Sequence, residues 1–385
     1  MTLSPREILD RLVGFRTVSR DSNLDLVDWV QDYLNGFGVT AHRVWNADRT
    51  KAALYANIGP QVAGGVVLSG HTDVVPVDGQ AWSSDPWTVT EREGRLYGRG
   101  CADMKGFDAL ALAAVPLALK AGVKRPLQIA LSYDEELGCT GAPPMIAEMA
   151  RTLPKAAAVV VGEPSSMRLV NGHKGGHGLR IDVTGYEVHS SLMHTGVNAI
   201  MLGAKLIDWA NRVNAENRAK PVTPLAGLFD PSWTTAHVGT IRGGTAGNIT
   251  AGHCTFDFGF RVVPGERDTD WLARAEAEIA RLDAEAKAIR PEAGVAREIV
   301  FHVPPLVPEE NGAAEALIRR LIGDNGRMVV SYGTEAGQFQ AEGYSAAVCG
   351  PGDIAQAHQP DEWIAVAQFE QGWRFMENLI AELAA

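Results

Sequence analysis

Residues 66–76 read VVLSGHTDVVP, an apolar run that ends on a histidine with an aspartate two positions later. Val66, Val67 and Leu68 have the unbroken apolar character of a strand buried on both faces, the kind found inside parallel sheets. His71 and Asp73 stand at its exit, where open α/β sheets place their ligands. Residues two apart on an extended backbone point the same way, so the two side chains share a face. A carboxylate beside an imidazole fixes the tautomer of a metal-bound histidine and raises its basicity. A capped strand end with a satisfied histidine would look the same in isolation.

The neighbouring sequence predicts the rest of the fold. Residues 4–37 carry Ile8, Leu9, Leu12 and Val13, then Leu26, Val27, Val30 and Leu34, and read as an amphipathic helical region. After residue 76 come the helix FDALALAAVPLALKAG (107–122), the strand LQIALSY (127–133), a helix near 143–151 and the strand AAAVVVG (156–162). Such alternation predicts an α/β fold with a doubly covered, mostly parallel mixed sheet. Near residue 178 the texture changes. HGLRIDVTGYEV (177–188) alternates apolar and polar residues, as a strand with one wet face does. A helix near 197–216, strands near 234–242 and 252–263, the helix DTDWLARAEAEIARLDAEAKA (268–288) and the strand AREIVFHV (296–303) complete a β-α-β-β-α-β order. Residues 178–305 are therefore predicted as an inserted α+β domain between two parts of a larger domain, 1–177 and 306–385. The second part holds a helix and the buried strands GRMVVSYG (326–333) and YSAAVCGPG (344–352).

A chain of 385 residues exceeds one ordinary core, in keeping with two domains. The formal net charge of −11 argues against nucleic acid or an anionic membrane as partner. Cys101, Cys139, Cys254 and Cys349 form no C-x-x-C pair and read as free thiols of a reducing cytoplasm. The opening MTLSPREILDRLVGF lacks the apolar core of a signal peptide, and no apolar run approaches the ~18 residues of a membrane span. The expectation is a soluble cytoplasmic protein.

Acidic and imidazole residues gather at the predicted strand ends. Asp103 lies in GRGCADMKG (98–106), Glu135 and Glu136 in DEELGCTGA (134–142), Glu163 in GEPSS (162–166) and His358 in IAQAHQPDE (354–362). Any one of them alone reads as a solvated loop residue. Together they do not, because carboxylates crowded at one sheet edge repel unless a cation neutralises them. Two imidazoles with three or four carboxylates form a hard, mixed N/O set suited to Zn²⁺, Co²⁺ or Mn²⁺, and large enough for two ions. A carboxylate bridging ions ~3.5–4 Å apart would clamp a water between them. A nucleotide-dependent oxidoreductase would want G-x-G-x-x-G after the first strand, where GHTDVV stands instead.

SGHTDVVP, GRGCADMKG, DEELGCTGA, GEPSS and GPGDIAQAHQPDE closely resemble, in order and over nearly the whole chain, the dinuclear zinc amidohydrolases related to aminoacylase, succinyl-diaminopimelate desuccinylase and carboxypeptidase G. The resemblance implies that His71 binds one zinc and is oriented by Asp73, and that Asp103 bridges both ions. It further implies Glu163 on the first ion, Glu136 and His358 on the second, and Glu135 as general base. Residue reasoning alone does not apportion these ligands or separate the roles of Glu135 and Glu136. VTGYEVHSSLMHTGVNAI (183–200) is similar to the family's lid motif, which implies that His189 polarises the scissile carbonyl and that the inserted domain is a lid and dimer contact. Asn248 in GGTAGNIT and Arg261 in FDFGFRVVPGE fall where relatives bind substrate. His194 reads as an ordinary helix-start histidine, and His173 and Lys174 in NGHKGG as a structural turn.

Within the family, GTEAGQF (333–339) and AQAHQPDE are most similar to the members acting on acetylornithine. The implied activity is hydrolysis of a small N-acyl amino acid, acetylornithine to ornithine and acetate, by a two-zinc homodimer in which Co²⁺ substitutes. Acetylcitrulline, other N-acetyl amino acids and succinyl-diaminopimelate are the alternatives. A non-catalytic binding protein on the same fold would have no use for a retained Glu135. Thr334 resembles a substrate-contacting threonine of the desuccinylases. Glu335 beside it reads either as a solvated loop glutamate or as the acceptor of ornithine's distal ammonium.

Overall fold

The computed structural model describes residues 2–385. The chain divides into two compact units. One comprises the residues up to Gly172 with Leu306–Val329 and Thr334–Ala385, the other His173–Pro305 with Val330–Gly333.

The first unit is built on an eight-stranded sheet with the spatial order Ala41–Trp45, Ala52–Ile58, Leu127–Ser132, Val66–His71, Ala158–Pro164, Ala346–Gly350, Val170–His173 and Met328–Val330. Its four middle strands, from Leu127–Ser132 to Ala346–Gly350, run parallel. Antiparallel pairings flank them. Val66–His71 pairs on both edges and every one of its residues is buried, which is what its unbroken apolar run predicts. The helix Lys105–Ala121 is apolar nearly all round and buried along most of its length, as a helix enclosed by core must be. Phe107 of this helix lies so close over Gly162 that a Cβ there would sit 2.0 Å from the ring. Only glycine lets the helix approach the strand that delivers Glu163.

Three features differ from the sequence expectation. The region 4–37 forms two helices, Pro5–Gly14 and Leu24–Asn35. Ser4 and Glu7 make a reciprocal capping box at the start of the first, a device that contributes about 1 kcal/mol. Between them Thr17 and Ser19 turn their hydroxyls to Thr72 O and the Asp73 carboxylate, so tertiary bonds at the strand exit interrupt the helix. The antiparallel pair Ala41–Trp45 and Ala52–Ile58 and the C-terminal helix Val366–Ala384 were not anticipated.

The second unit is a four-stranded antiparallel sheet in the order Thr235–Gly243, His253–Val262, Gly175–Thr184, Gly294–Val303. With the helices Ala199–Ala219 and Asp268–Ile289, the chain order is the predicted β-α-β-β-α-β. Leu179, Ile181 and Val183 alternate with polar residues and pack with Phe256, Phe258 and Phe260 against Leu206, Trp271 and Leu282 of the helices. Burying each such side chain contributes about 1.5–3 kcal/mol. No helix among the described residues is long and apolar enough to cross a membrane.

Candidate active site

His71 ends its strand fully buried. Its Nε2 lies 3.1 Å from Asp103 Oδ1 and 3.8 Å from Glu163 Oε1. The other oxygen of Asp103, Oδ2, lies 3.3 Å from His358 Nε2, which is also 3.0 Å from Glu136 Oε2. One buried carboxylate thus faces two imidazoles with separate oxygens. Donor atoms of His71, Asp103 and Glu136 lie within 4.8 Å of one another, and so do those of His71, Glu135 and Glu163. Sequence segments as distant as 71 and 358 converge because each follows a strand or turn at the same edge of the large sheet. His358 (φ 62°) and Asp134 (φ 56°) both adopt left-handed backbone, a conformation that costs non-glycine residues of order 1–3 kcal/mol and collects at functional sites.

The electrostatics call for positive charge. Burial would push the Asp103 carboxyl up, but the His358 and His71 imidazoles outweigh it and hold it well below the usual carboxylate range. Hydrogen bonds to Asp103 and Glu136 pull the His358 imidazole up to about 10. His71 also rises well above its ordinary value, Asp103 and Asp73 overcoming the opposing effect of burial. Burial, reinforced by Glu136 and Asp103, raises Glu135 to about 8. Glu163 Oε1 is buried with no hydrogen-bond donor, a position that costs about 1–3 kcal/mol or more. Imidazoles and carboxylates so arranged fit divalent cations, whose binding displaces protons from such ligands.

Asp73 plays a broader part than orienting an imidazole. His71 Nδ1 lies 2.9 Å from its backbone carbonyl and 3.5 Å from its carboxylate. That carboxylate accepts hydrogen bonds from Ser19 Oγ at 2.7 Å and from the backbone N–H groups of Glu135 and Glu136 at 3.1 and 3.3 Å. Asp73 therefore fixes the loop that presents both glutamates. Beneath Asp103 the sequence reading overlooked Glu362, which accepts from the backbone N–H groups of Ala102 and Asp103 at 2.9 and 3.1 Å and pairs with buried Arg99 at 2.7 Å. Glu362 stands at the end of AQAHQPDE, so the motif contained it, although nothing in a lone glutamate marks it as buried. Cys101 is buried with its thiol pushed far up by burial, which leaves it inert as a nucleophile.

In the second unit His189 is exposed and accepts at Nδ1 from the Ser191 backbone N–H. A neutral imidazole accepting at Nδ1 carries its proton on Nε2. His189 and Asn248 are neighbours, since Ser190 N bonds Asn248 O and His189 bridges to Ile249. Arg261 is exposed near the end of its strand, opposite Gly176 and Thr235. His194 is exposed. Lys174 is buried with Nζ on the carbonyls of Pro231 and Trp233.

The sequence profile of Peptidase family M20/M25/M40 matches residues 67–382. The chain belongs to this family. It is 35% identical over 375 residues to an acetylornithine deacetylase of Myxococcus xanthus, covering 94% of this chain and 92% of the relative. It is 31% identical over 366 residues to that of Pasteurella multocida (strain Pm70), covering 94% and 91%. Among solved structures, an M20 family metallo-carboxypeptidase from Sulfolobus solfataricus superposes with a TM-score of 0.79 at 16% identity, over 99% of both chains. A tripeptidase from Staphylococcus aureus does so with a TM-score of 0.73 at 17% identity, over 100% of both chains. These establish an M20 fold with one large mixed sheet and a smaller antiparallel one. The protein is a metal-dependent amidohydrolase.

Two further candidate side chains of this M20 enzyme are buried. Thr334 is fully buried, and its hydroxyl accepts from Ala336 N at the start of the helix Ala336–Ala341. Glu335 is neither a solvated loop glutamate nor an open receptor. It is 1% exposed, with Oε1 on the Ser132 hydroxyl and Oε2 3.3 Å from the Ser69 hydroxyl. Each of its oxygens accepts from a serine on one of two adjacent parallel strands.

Proposed function

We propose that this enzyme removes the acetyl group from N2-acetyl-L-ornithine, giving L-ornithine and acetate. The observation that carries the chemistry is Asp103, whose two oxygens are divided between His71 and His358. The substrate is supported by the near full-length relationship to acetylornithine deacetylases. His71 and Glu163 would hold one divalent cation, Glu136 and His358 the other, with Asp103 shared. Zn²⁺ is the favoured ion, and Co²⁺ would replace it. When bound, the ions supply Lewis acidity and a water acidified toward pKa ~7.

Glu135 takes the proton of the attacking water and returns it to the departing amine. It suits the task, because the peptide N–H bond to Asp73 fixes its backbone and its burial raises the affinity for a proton. His189, protonated on Nε2, donates to the carbonyl oxygen as charge develops there. Asn248 and Arg261 hold the carboxylate and acyl oxygens of the substrate. The resemblance also implies a homodimer, with the second unit as lid and dimer contact.

A second reading, hydrolysis of other N-acyl amino acids, is favoured by one specific observation. With Glu335 engaged by Ser69 and Ser132, the identified acid that would select ornithine's ammonium is withdrawn. A deacylase assay across acetylornithine, acetylcitrulline, other N-acetyl amino acids and succinyl-diaminopimelate, with metal content measured on the same sample, tests both. Acetylornithine should give the highest kcat/KM. A higher value for any other member replaces the substrate assignment, and full activity without metal overturns the whole reading.

A further inference from the structure

His177 and His302 occupy directly opposed positions on the adjacent strands Gly175–Thr184 and Gly294–Val303 of the second unit. Their rings stack with centroids 4.3 Å apart and planes within 4°. Asp268, the first residue of the helix Asp268–Ile289, directs Oδ2 at both. It bonds His302 Nε2 and lies 3.9 Å from His177 Nε2. A ligand atom from each of the three residues falls within 4.8 Å of the others. His177 is 2% exposed, and neither of its ring nitrogens has a hydrogen-bond partner. A buried polar group without a partner is costly, and in native proteins it marks an ordered water, an ion or strain.

We propose that His177, His302 and Asp268 form a further cation site, separate from the carboxylate-rich centre of the first unit, that takes a borderline divalent transition metal such as Zn²⁺. Two imidazoles and one carboxylate are ligands that Zn²⁺, Ni²⁺ and Cu²⁺ accept, whereas Ca²⁺ and Mg²⁺ demand oxygen sets. Both Nε2 atoms face the same carboxylate oxygen, and a modest tilt of the rings brings them toward the ~2.0–2.1 Å of a metal–imidazole bond. His302, with 42% of its side chain exposed, is free to make that tilt. Three protein ligands leave the remaining coordination to water. An ion here would tie two strands and the start of a helix together, giving the site a structural role in the second unit.

The test uses the full chain. His71→Ala/Asp103→Asn protein, stripped with chelator, equilibrated with Zn²⁺ and desalted, should retain one equivalent by elemental analysis. Adding His302→Ala should remove it, and Asp268→Asn should weaken Zn²⁺ binding at least tenfold by titration calorimetry. In otherwise unchanged protein, His302→Ala should bind one equivalent fewer than its parent and show a smaller Zn²⁺-dependent rise in melting temperature. These readouts are stoichiometry and stability, so they stand apart from any failure of the proposed deacetylation. Equal zinc content with and without His302, in both backgrounds, would overturn the site and assign His177 to a buried water.

Discussion

The two units hold their functional candidates in opposite ways. In the first, His71, Asp103 and Glu163 are at most 5% exposed, and their supports Asp73 and Glu362 are buried as well. Glu135 and Glu136 are half-buried there, and only His358 is exposed. In the second, His189, Asn248 and Arg261 are all exposed. The difference follows from the chemistry each set would perform. Groups that hold cations and move protons gain from a fixed, low-dielectric setting built before substrate arrives. Groups that recognise a small, soluble amino-acid derivative must stay open to solvent until it binds. Preorganisation therefore belongs to the interior of the first unit, and accessibility to the second unit and to His358.

Removing the cations should break the first unit's side of this comparison completely. Exhaustive chelation should abolish hydrolysis, and Zn²⁺ or Co²⁺ should restore it, measured as turnover against metal content. Persisting turnover in metal-free protein would show that the buried cluster is structural only. Glu135→Gln keeps the shape and removes the proton acceptor, so kcat should fall by ~10²–10⁴ with metal content unchanged. If Glu135→Gln loses metal and Glu136→Gln does not, the two roles are exchanged.

The exposed set should respond differently. His189→Ala should lower kcat by ~10²–10³, the loss typical of one oxyanion donor, with metal stoichiometry intact. Mixing it with Glu135→Gln protein asks whether the histidine serves its own chain or a partner. Recovery of activity in hybrids places it in trans, and none despite subunit exchange places it in cis.

Legibility in the sequence follows the same division. Val66–His71 was readable because burial on both faces leaves an unbroken apolar run, and the second unit's strands because one wet face imposes alternation. The pair Ala41–Trp45 and Ala52–Ile58 was missed. AHRVW alternates only weakly, and AALYANI is rich in alanine, so neither carries a clear period. Of the site, the imidazoles and carboxylates at strand exits were visible as a set, but their division of labour came from family resemblance. The supports were harder to see. Glu362 and Ser19 owe their roles to groups brought close only by folding, and a lone serine or glutamate leaves no pattern.

Glu362 sharpens the comparison at the level of stability. Its carboxylate satisfies two backbone N–H groups and a fully buried guanidinium. Glu362→Ala should destabilise the fold by about 3–5 kcal/mol, because it strands the Arg99 charge in the interior. Chemical denaturation measures this directly. A loss below about 1 kcal/mol would mean that water replaces the carboxylate.

The smallest expected effect concerns substrate choice. Had Glu335 received the distal ammonium of ornithine, a charge-assisted hydrogen bond of roughly 1.5–3 kcal/mol would separate acetylornithine from uncharged acetylnorvaline by about 10- to 150-fold. The carboxylate instead lies beneath the ends of two strands, on Ser69 and Ser132. There it steadies the strands that carry His71 and the glutamate loop, and its influence should fall equally on both substrates. Burial with too few donors raises it to about 7, so a neutral amide of the same shape is a mild replacement. Glu335→Gln should therefore slow both hydrolyses only several-fold, by about the 1 kcal/mol of a neutral hydrogen bond, and leave the ratio of their kcat/KM values within twofold of its starting value. A tenfold or larger collapse of that ratio would return Glu335 to the substrate. It would also show that the selecting charge belongs to the buried unit, leaving the exposed residues of the second unit to hold the groups common to every N-acyl amino acid.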